Sequence, residues 1–325
     1  MSVSEIDSRI RRLRPPKRFV DPYRAHGTLL EQERRPRGTL EQTLTVFLTG
    51  AECPFACSFC DLWQWTIDGP TPPGALTAQL ERALETVSAE KVDRIKLYNA
   101  SNFFDPRAVP LDDMTGSARL LEQFAAVTVE SHANTIGSRT FEFARSLAGR
   151  LEVAIGLETI HPTALAESNK RLELPRFERA VEFLRRNDID VRVFVLLGAP
   201  HVPLSETVEW TTRTVSYAVN RGASVVSIIP VRSGNGELER LQALGLFAPP
   251  TLIQLEEALR NTMDLGTTVV TADLWDVERL PGCVHCREDR VGRIRRANLA
   301  GYIEPVSNCA SCSTCLLYTS PSPRD

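Results

Sequence analysis

The sequence lacks long hydrophobic segments and any strong net charge. Its longest apolar runs, Val193–Leu197 and Val225–Val231, are too short to cross a bilayer. The amino-terminal residues contain no apolar signal-peptide core, and a net charge of −3 gives no general attraction to nucleic acid or to anionic membranes. No internal repeat is present beyond a βα rhythm. These absences favour a cytoplasmic protein with no membrane partner.

The eight cysteines fall in two short clusters, which in a reducing compartment indicate metal ligands or catalytic thiols rather than disulfides. The first cysteine cluster is Cys53, Cys57 and Cys60, with Phe59 directly before the third thiol. Three thiolates on one short loop can bind three irons of a [4Fe-4S] cubane and leave the fourth iron open. A zinc site or three unrelated buried thiols is the alternative, but no further Cys or His lies within twenty residues to complete a zinc site.

Short apolar runs alternate with amphipathic helical patterns from Leu44 onward. Such runs are typical of strands buried on both faces of a parallel sheet. Six βα units predict an α/β fold, an open partial (β/α)6 barrel, with its chemistry at the carboxyl ends of the strands. The predicted strands are 44–49, 94–98, 126–130, 152–157, 191–197 and 224–230.

Composition divides the chain into segments. Residues 1–42 are polar and basic and are interpreted as a solvated extension, although such a run can also contact nucleic acid. Residues 43–235 form the predicted barrel, 236–280 a helical connection, and 281–314 a small cysteine-rich metal-binding module. Residues 315–325 read as the translation of a sequencing adapter, so the natural protein is expected to continue beyond about Thr314; a Ser/Pro-rich disordered tail is the alternative.

The first cysteine cluster, placed after the first predicted strand, resembles the cluster-binding motif of the radical S-adenosylmethionine (SAM) superfamily. The resemblance covers roughly residues 44–235. It implies a [4Fe-4S] cluster whose fourth iron is chelated by SAM. It further implies an enzyme that cleaves SAM reductively to a 5′-deoxyadenosyl radical, which abstracts hydrogen from a substrate. A low-potential electron donor, a flavodoxin or ferredoxin, is then expected.

The resemblance also implies SAM contacts at the other strand ends. Ser101 and Asn102 stand where the superfamily often has Gly-Gly-Glu, and are implied to receive the SAM amino group. Glu130 is implied to face SAM, with a surface loop carboxylate as the alternative. Glu158, in Gly-Leu-Glu-Thr, is implied to reach the ribose or the aminoacyl end, because a carboxylate closing an apolar strand needs a partner.

Phe59, directly before Cys60, also belongs to this implied set, and three further residues complete it. Lys170 and Arg171 match a position where a basic side chain pairs with the SAM carboxylate, and both could instead be helix-surface charges. Gly198, in Gly-Ala-Pro, would let the backbone approach the adenine, although a simple turn also uses Gly and Pro.

The second cysteine cluster is Cys283, Cys286, Cys309 and Cys312, arranged as two Cys-x2-Cys pairs. Such pairs form closed zinc sites, and the same thiolates can hold an auxiliary iron–sulfur cluster. The sequence leaves both open, with knuckle-like spacing favouring zinc. The arginines between the pairs are interpreted as a solvated strand or turn, or as contacts to phosphates such as those of tRNA.

Within the superfamily, the order of motifs resembles the archaeosine-synthesis radical SAM protein and its bacterial relatives. This resemblance implies modification of a tRNA nucleoside. Two alternatives stay open: a radical SAM enzyme acting on a peptide or small metabolite with an auxiliary cluster, and a non-catalytic iron–sulfur or zinc module that binds nucleic acid.

Overall fold

The structure, a computed structural model, describes residues 2–85, 92–305 and 309–312. These residues form one eight-stranded sheet, curled into a partial barrel with helices on its outer face. The predicted α/β partial barrel is therefore confirmed. The adapter-like residues 315–325 lie outside the described residues.

The strands follow one another across the sheet in chain order. The first pairs antiparallel with the second, and all later pairs are parallel. The six predicted strands correspond to β2–β7 below, whereas the two edge strands are not predicted. The strands are β1 (Gly27–Arg34), β2 (Leu40–Phe47), β3 (Arg94–Tyr98), β4 (Ala126–Ser131), β5 (Arg150–Glu158), β6 (Asp190–Leu197), β7 (Val225–Pro230) and β8 (Val269–Ala272).

The helices pack amphipathic faces against this sheet, and the apolar stripe of the sixth is fully buried, as its 3.6-residue period predicts. No helix in the described part of the chain is long and apolar enough to span a membrane. The helices are α1 (Val3–Leu13), α2 (Ala75–Glu85), α3 (Leu111–Leu120), α4 (Ser138–Ser146), α5 (Pro162–Glu167), α6 (Leu174–Arg186), α7 (Thr207–Arg221), α8 (Glu237–Ala243), α9 (Leu252–Arg260) and α10 (Arg287–Ala300).

The interpretation of residues 1–42 as a solvated arm is wrong for much of that segment. The α1 helix begins at a capping box on Ser2 and buries Ile10, and β1 pairs with β2 along its whole length. Basic side chains after the helix are also engaged, because Arg14 and Lys17 pair with Glu52 at the start of the cysteine loop. These two basic residues therefore form ion pairs within the folded structure and do not belong to a solvated arm.

Charged side chains, rather than apolar ones, fill the amino-terminal half of the barrel interior. Glu33 of β1 accepts a hydrogen bond from Arg192 of β6 (2.9 Å) and pairs with Lys96 of β3. Arg192 also donates to the fully buried Glu152 of β5 (2.9 Å). Burial opposes ionisation of Glu33, but Arg192 and Lys96 outweigh it and hold its pKa at about 2. These pairs link β1 to strands far across the curled sheet.

Candidate active site

The first cysteine cluster lies on the loop that leaves β2 at the carboxyl edge of the parallel strands. Cys57 is buried, while Cys53 and Cys60 are partly exposed. The Cys60 amide donates to the Cys57 carbonyl (3.2 Å), which turns the chain tightly between these two thiols. The base of the loop is held by Ala51, whose amide donates to the Thr71 hydroxyl (2.8 Å).

Two asparagines from distant segments hold the backbone of this loop. The Asn169 amide donates to the Ala56 carbonyl (2.7 Å), and the Asn235 amide donates to the carbonyls of Ser58 (2.9 Å) and Cys60 (3.2 Å). Loops with satisfied backbone groups hold their side chains in one geometry. Asn235 was not predicted from sequence, and its position after β7, at the same barrel edge, is the signal that could have identified it.

The end of β3 contributes a second set of polar groups beside Cys53. The Asn102 amide lies 3.4 Å from Cys53 Sγ, and its carbonyl oxygen accepts from the His132 amide (2.8 Å). Ala100, at φ +52°, turns its N–H towards the Glu130 carboxylate (2.8 Å). Burial raises the pKa of Glu130 to about 7, although backbone amides oppose the shift.

The same turn also contains polar atoms that the described residues leave without a partner. The Ser101 hydroxyl and both amide atoms of Asn99 are buried with no hydrogen bond among the described residues. Buried polar groups are normally hydrogen-bonded, so such atoms indicate a missing ligand or water. Their place next to the Asn102–Cys53 contact fits a polar cofactor bound against the cysteine loop.

A buried ion pair closes the other side of the site. Lys170 Nζ lies 2.8 Å from Glu158 Oε1, and both side chains are at most 10% exposed. The sheet has an irregularity between Gly156 and Glu158, and Glu158 takes φ +68°. A Cβ at Gly156 would lie 2.0 Å from Glu158 Oε1, so this position must be glycine for the pair to form.

The charges around the thiols favour a positively charged group in the site. Burial raises the pKa of Cys57 to about 12 and that of Cys60 well above its ordinary value. Burial would lower the pKa of Lys170, but Glu158 and the nearby Cys57 outweigh this and raise it. One ammonium shared with Glu158 is insufficient for three thiolates, so an iron cluster with its positive irons fits this set of donors.

No protein-family model matches the sequence, and no curated protein matches it. Solved structures do match. Methylornithine synthase (PylB) has a TM-score of 0.54 and 14% identity, with 99% of this chain and 84% of that chain covered. A radical SAM methyltransferase from Sphaerobacter thermophilus has a TM-score of 0.50 and 16% identity, and the match covers 80% of this chain and 76% of that chain. The fold is that of radical SAM enzymes.

Elp3 from the archaeon Methanocaldococcus infernus, lacking its N-terminus (1-46), also matches, with a TM-score of 0.50 and 13% identity over 70% of this chain. This chain spans 59% of that Elp3 chain and 40% of the matched TsrM methyltransferase chain from Kitasatospora setae. The low identities relate these proteins to the chain by fold alone.

Three residues implied as SAM contacts have other neighbours within the radical SAM fold. Arg171 pairs with Asp7 of α1. Gly198, at φ +80°, packs against Pro250, since a Cβ there would lie 2.9 Å from the proline ring. The Phe59 ring is 6.0 Å from Lys170 Nζ. The structure thus gathers Asn102, Glu158 and Lys170 around the thiols and engages Arg171 with the amino-terminal helix.

The second cysteine cluster forms a separate group on the barrel. Its four sulfur atoms lie within 4.8 Å of one another. Cys283 and Cys286 precede α10 and Cys309 and Cys312 follow it, yet all four meet at one point. This group has the donors of a second metal site.

The arginines between the two pairs lie on α10, so the predicted solvated strand or turn is wrong. Arg293 donates to Glu256 of α9 (2.8 Å), and Arg290 pairs with the same carboxylate. All three side chains are at most 8% exposed. Arg290 and Arg293 are therefore unable to contact phosphates in this conformation, whereas Arg295 on the other face is exposed.

Proposed function

We propose that the chain is a radical SAM enzyme in which the first cysteine cluster holds a [4Fe-4S] cluster and SAM binds beside it. The observation that carries the proposal is the position of these thiols, on the loop after β2 at the carboxyl edge of a radical SAM fold. When bound, the cluster and SAM supply a one-electron cleavage that yields a 5′-deoxyadenosyl radical for hydrogen abstraction.

The chain's own residues would bind and orient these groups. Asn102 donates towards Cys53, which stabilises a thiolate there. Lys170, held by Glu158 and near Cys57, supplies a fixed positive charge at the thiols. The unpartnered groups of Asn99 and Ser101 offer acceptors for the SAM ammonium group.

The test is anaerobic reconstitution with iron and sulfide, followed by reduction in the presence of SAM. We expect cubane absorption and release of 5′-deoxyadenosine and methionine, with both products lost in Cys57→Ala. Thr115→Ala is the control, because Thr115 is exposed on α3 and its hydroxyl donates to the Leu111 carbonyl of the same helix. A wild-type chain that binds iron but leaves SAM intact would contradict the proposal and favour a non-catalytic module.

For the substrate we propose a tRNA nucleoside, with a flavodoxin or ferredoxin as the cytoplasmic electron donor. The support is three exposed basic side chains: Arg12 lies on α1, Arg18 follows that helix, and Arg295 lies on α10. Arginine side chains bind phosphates well, with affinity that falls as salt rises.

Purified chain is expected to bind tRNA with salt-sensitive affinity. The triple variant Arg12→Gln, Arg18→Gln, Arg295→Gln should lose about one salt-dependent contact per arginine. Binding that is indifferent to these changes and to salt would favour a peptide or small-metabolite substrate.

A further inference from the structure

We propose that the second cysteine cluster binds a single zinc ion, and that this ion fastens α10 across the gap between the two edge strands of the barrel. The inference concerns a site outside the cluster loop and does not rest on the proposed radical chemistry.

The spacing of the sulfur atoms favours one ion over a multi-iron cluster. A tetrahedral ion with metal–sulfur bonds of about 2.3 Å places its ligand sulfurs about 3.8 Å apart. Cys283 and Cys309 Sγ lie 3.9 Å apart, and Cys286 and Cys312 Sγ lie 3.6 Å apart. Thiolates on a cubane bind four separate irons and must lie further from one another. The group therefore matches a mononuclear tetrahedral site.

The surroundings favour zinc in thiolate form. Four sulfur donors in a tetrahedron are typical of zinc, which also binds such sites more tightly than ferrous iron does. Cys286 occupies the position directly before the first residue of α10, where the helix dipole favours a negative sulfur. Arg290 Nε donates to Cys286 Sγ (3.3 Å), so the excess negative charge of four thiolates is partly neutralised.

The helix between the two cysteine pairs contacts both edges of the sheet. The α10 helix packs against β1, β8 and α9. The Asn298 side chain donates to the Ala272 carbonyl (2.8 Å) and accepts from its amide (2.9 Å), which pairs the backbone groups of Ala272 at the end of β8. Ile294 and Ala297 are buried in the main core. In this way α10 spans the opening that the sheet leaves between its first and last strands.

The metal would anchor this helix at its beginning. Gly301 ends α10 in a left-handed conformation, φ +79°, with the Arg34 side chain of β1 packed against it. The second pair then lies back at the start of the helix, beside Cys286. One ion thus joins the segments before and after α10, and its removal should release the helix from both edge strands.

Metal content of two complementary variants tests the identity of the ion. The chain with Cys53→Ala, Cys57→Ala and Cys60→Ala should retain about one zinc and no iron, which is measurable whether or not SAM is ever cleaved. The chain with Cys283→Ser and Cys286→Ser should lose the zinc and still bind iron after reconstitution. Iron in the first variant after reconstitution, or about eight irons in the wild-type chain, would overturn the zinc assignment.

Hydrogen exchange tests the fastening role. Removal of zinc from the wild-type chain by a chelator should speed amide exchange in β1 and β8 at least tenfold and leave β4 and β5 unchanged. Arg295→Ala, on the exposed face of α10, should leave all four strands protected. Loss of zinc with no change in the edge strands would overturn the role, and so would equal loss of protection throughout the sheet. Chelation avoids reliance on a cysteine variant that fails to fold.

Discussion

Replacement of Glu33 by glutamine should destabilise the fold through the charges inside the barrel. Glu33 is buried between Arg192 and Lys96, and after its replacement the carboxylate that pairs with Lys96 in the described part of the chain is the more distant Glu31 (3.6 Å). The pKa of Glu33 is about 2 against an ordinary 4.5, and each pH unit of that difference corresponds to about 1.4 kcal/mol, which gives about 3 kcal/mol of stabilisation. This agrees with the cost of breaking other buried pairs, about 3–5 kcal/mol.

The pH dependence has a definite sign. Because the folded-state pKa lies below the ordinary value, the stabilisation is complete above about pH 4.5 and disappears as the pH falls towards 2. The penalty of Glu33→Gln in the free energy of unfolding should therefore be full at pH 7 and shrink below pH 4.5. Urea unfolding followed by tryptophan fluorescence measures it.

Glu31→Gln is the matched control on the same strand. Glu31 is partly exposed, and burial raises its pKa despite the nearby Lys96. An ionised Glu31 therefore does not stabilise the fold at pH 7, and its replacement should cost less than about 0.5 kcal/mol. Equal effects of the two substitutions, or a Glu33→Gln penalty that does not change with pH, would refute the reasoning.

Three further changes probe the cysteine loop and its ion pair. Lys170→Met should cost about 3 kcal/mol in the free energy of unfolding by leaving Glu158 buried and unpaired, and adding Glu158→Leu should recover part of the loss; additive losses would contradict this. Gly156→Ala should displace the same pair and lower iron uptake, whereas unchanged uptake would show that the pair is irrelevant to the site. Asn235→Ala, which removes two bonds to the loop backbone, should also lower iron per chain, while Asn187→Ala at the end of α6 should not.

Structural features that are encoded within one short stretch of sequence could be predicted from that sequence. The first cysteine cluster lies on one loop, and buried apolar residues recur along β2–β7 although charged side chains such as Lys96 and Arg192 alternate with them. The β1 strand was missed because its glutamates face charged partners inside the barrel, so its polar sequence is similar to that of a solvated arm. A four-residue strand such as β8 carries too little pattern to recognise.

Tertiary packing determines which residues are buried or paired in places where sequence periodicity gives the wrong answer or none. The repeat of Phe141, Ala144, Leu147 and Ala148 predicts a buried helix face, but Phe143 is the fully buried residue of α4 and Phe141 is 36% exposed. The helix ends at Ser146, so the pattern extended beyond the helix that it described. The Glu158–Lys170 pair was likewise not predictable, because α5 separates the two residues and only the fold brings them together.

The contact of α10 with β1 has a consequence for synthesis of the chain. The two segments are far apart in the sequence, so β1 remains without this neighbour until synthesis has passed α10. Until then the unpaired edge of β1 is open to other nascent chains. A fold completed so late should depend on chaperones more strongly than one whose first strand is covered early, and an ample zinc supply should increase its soluble yield.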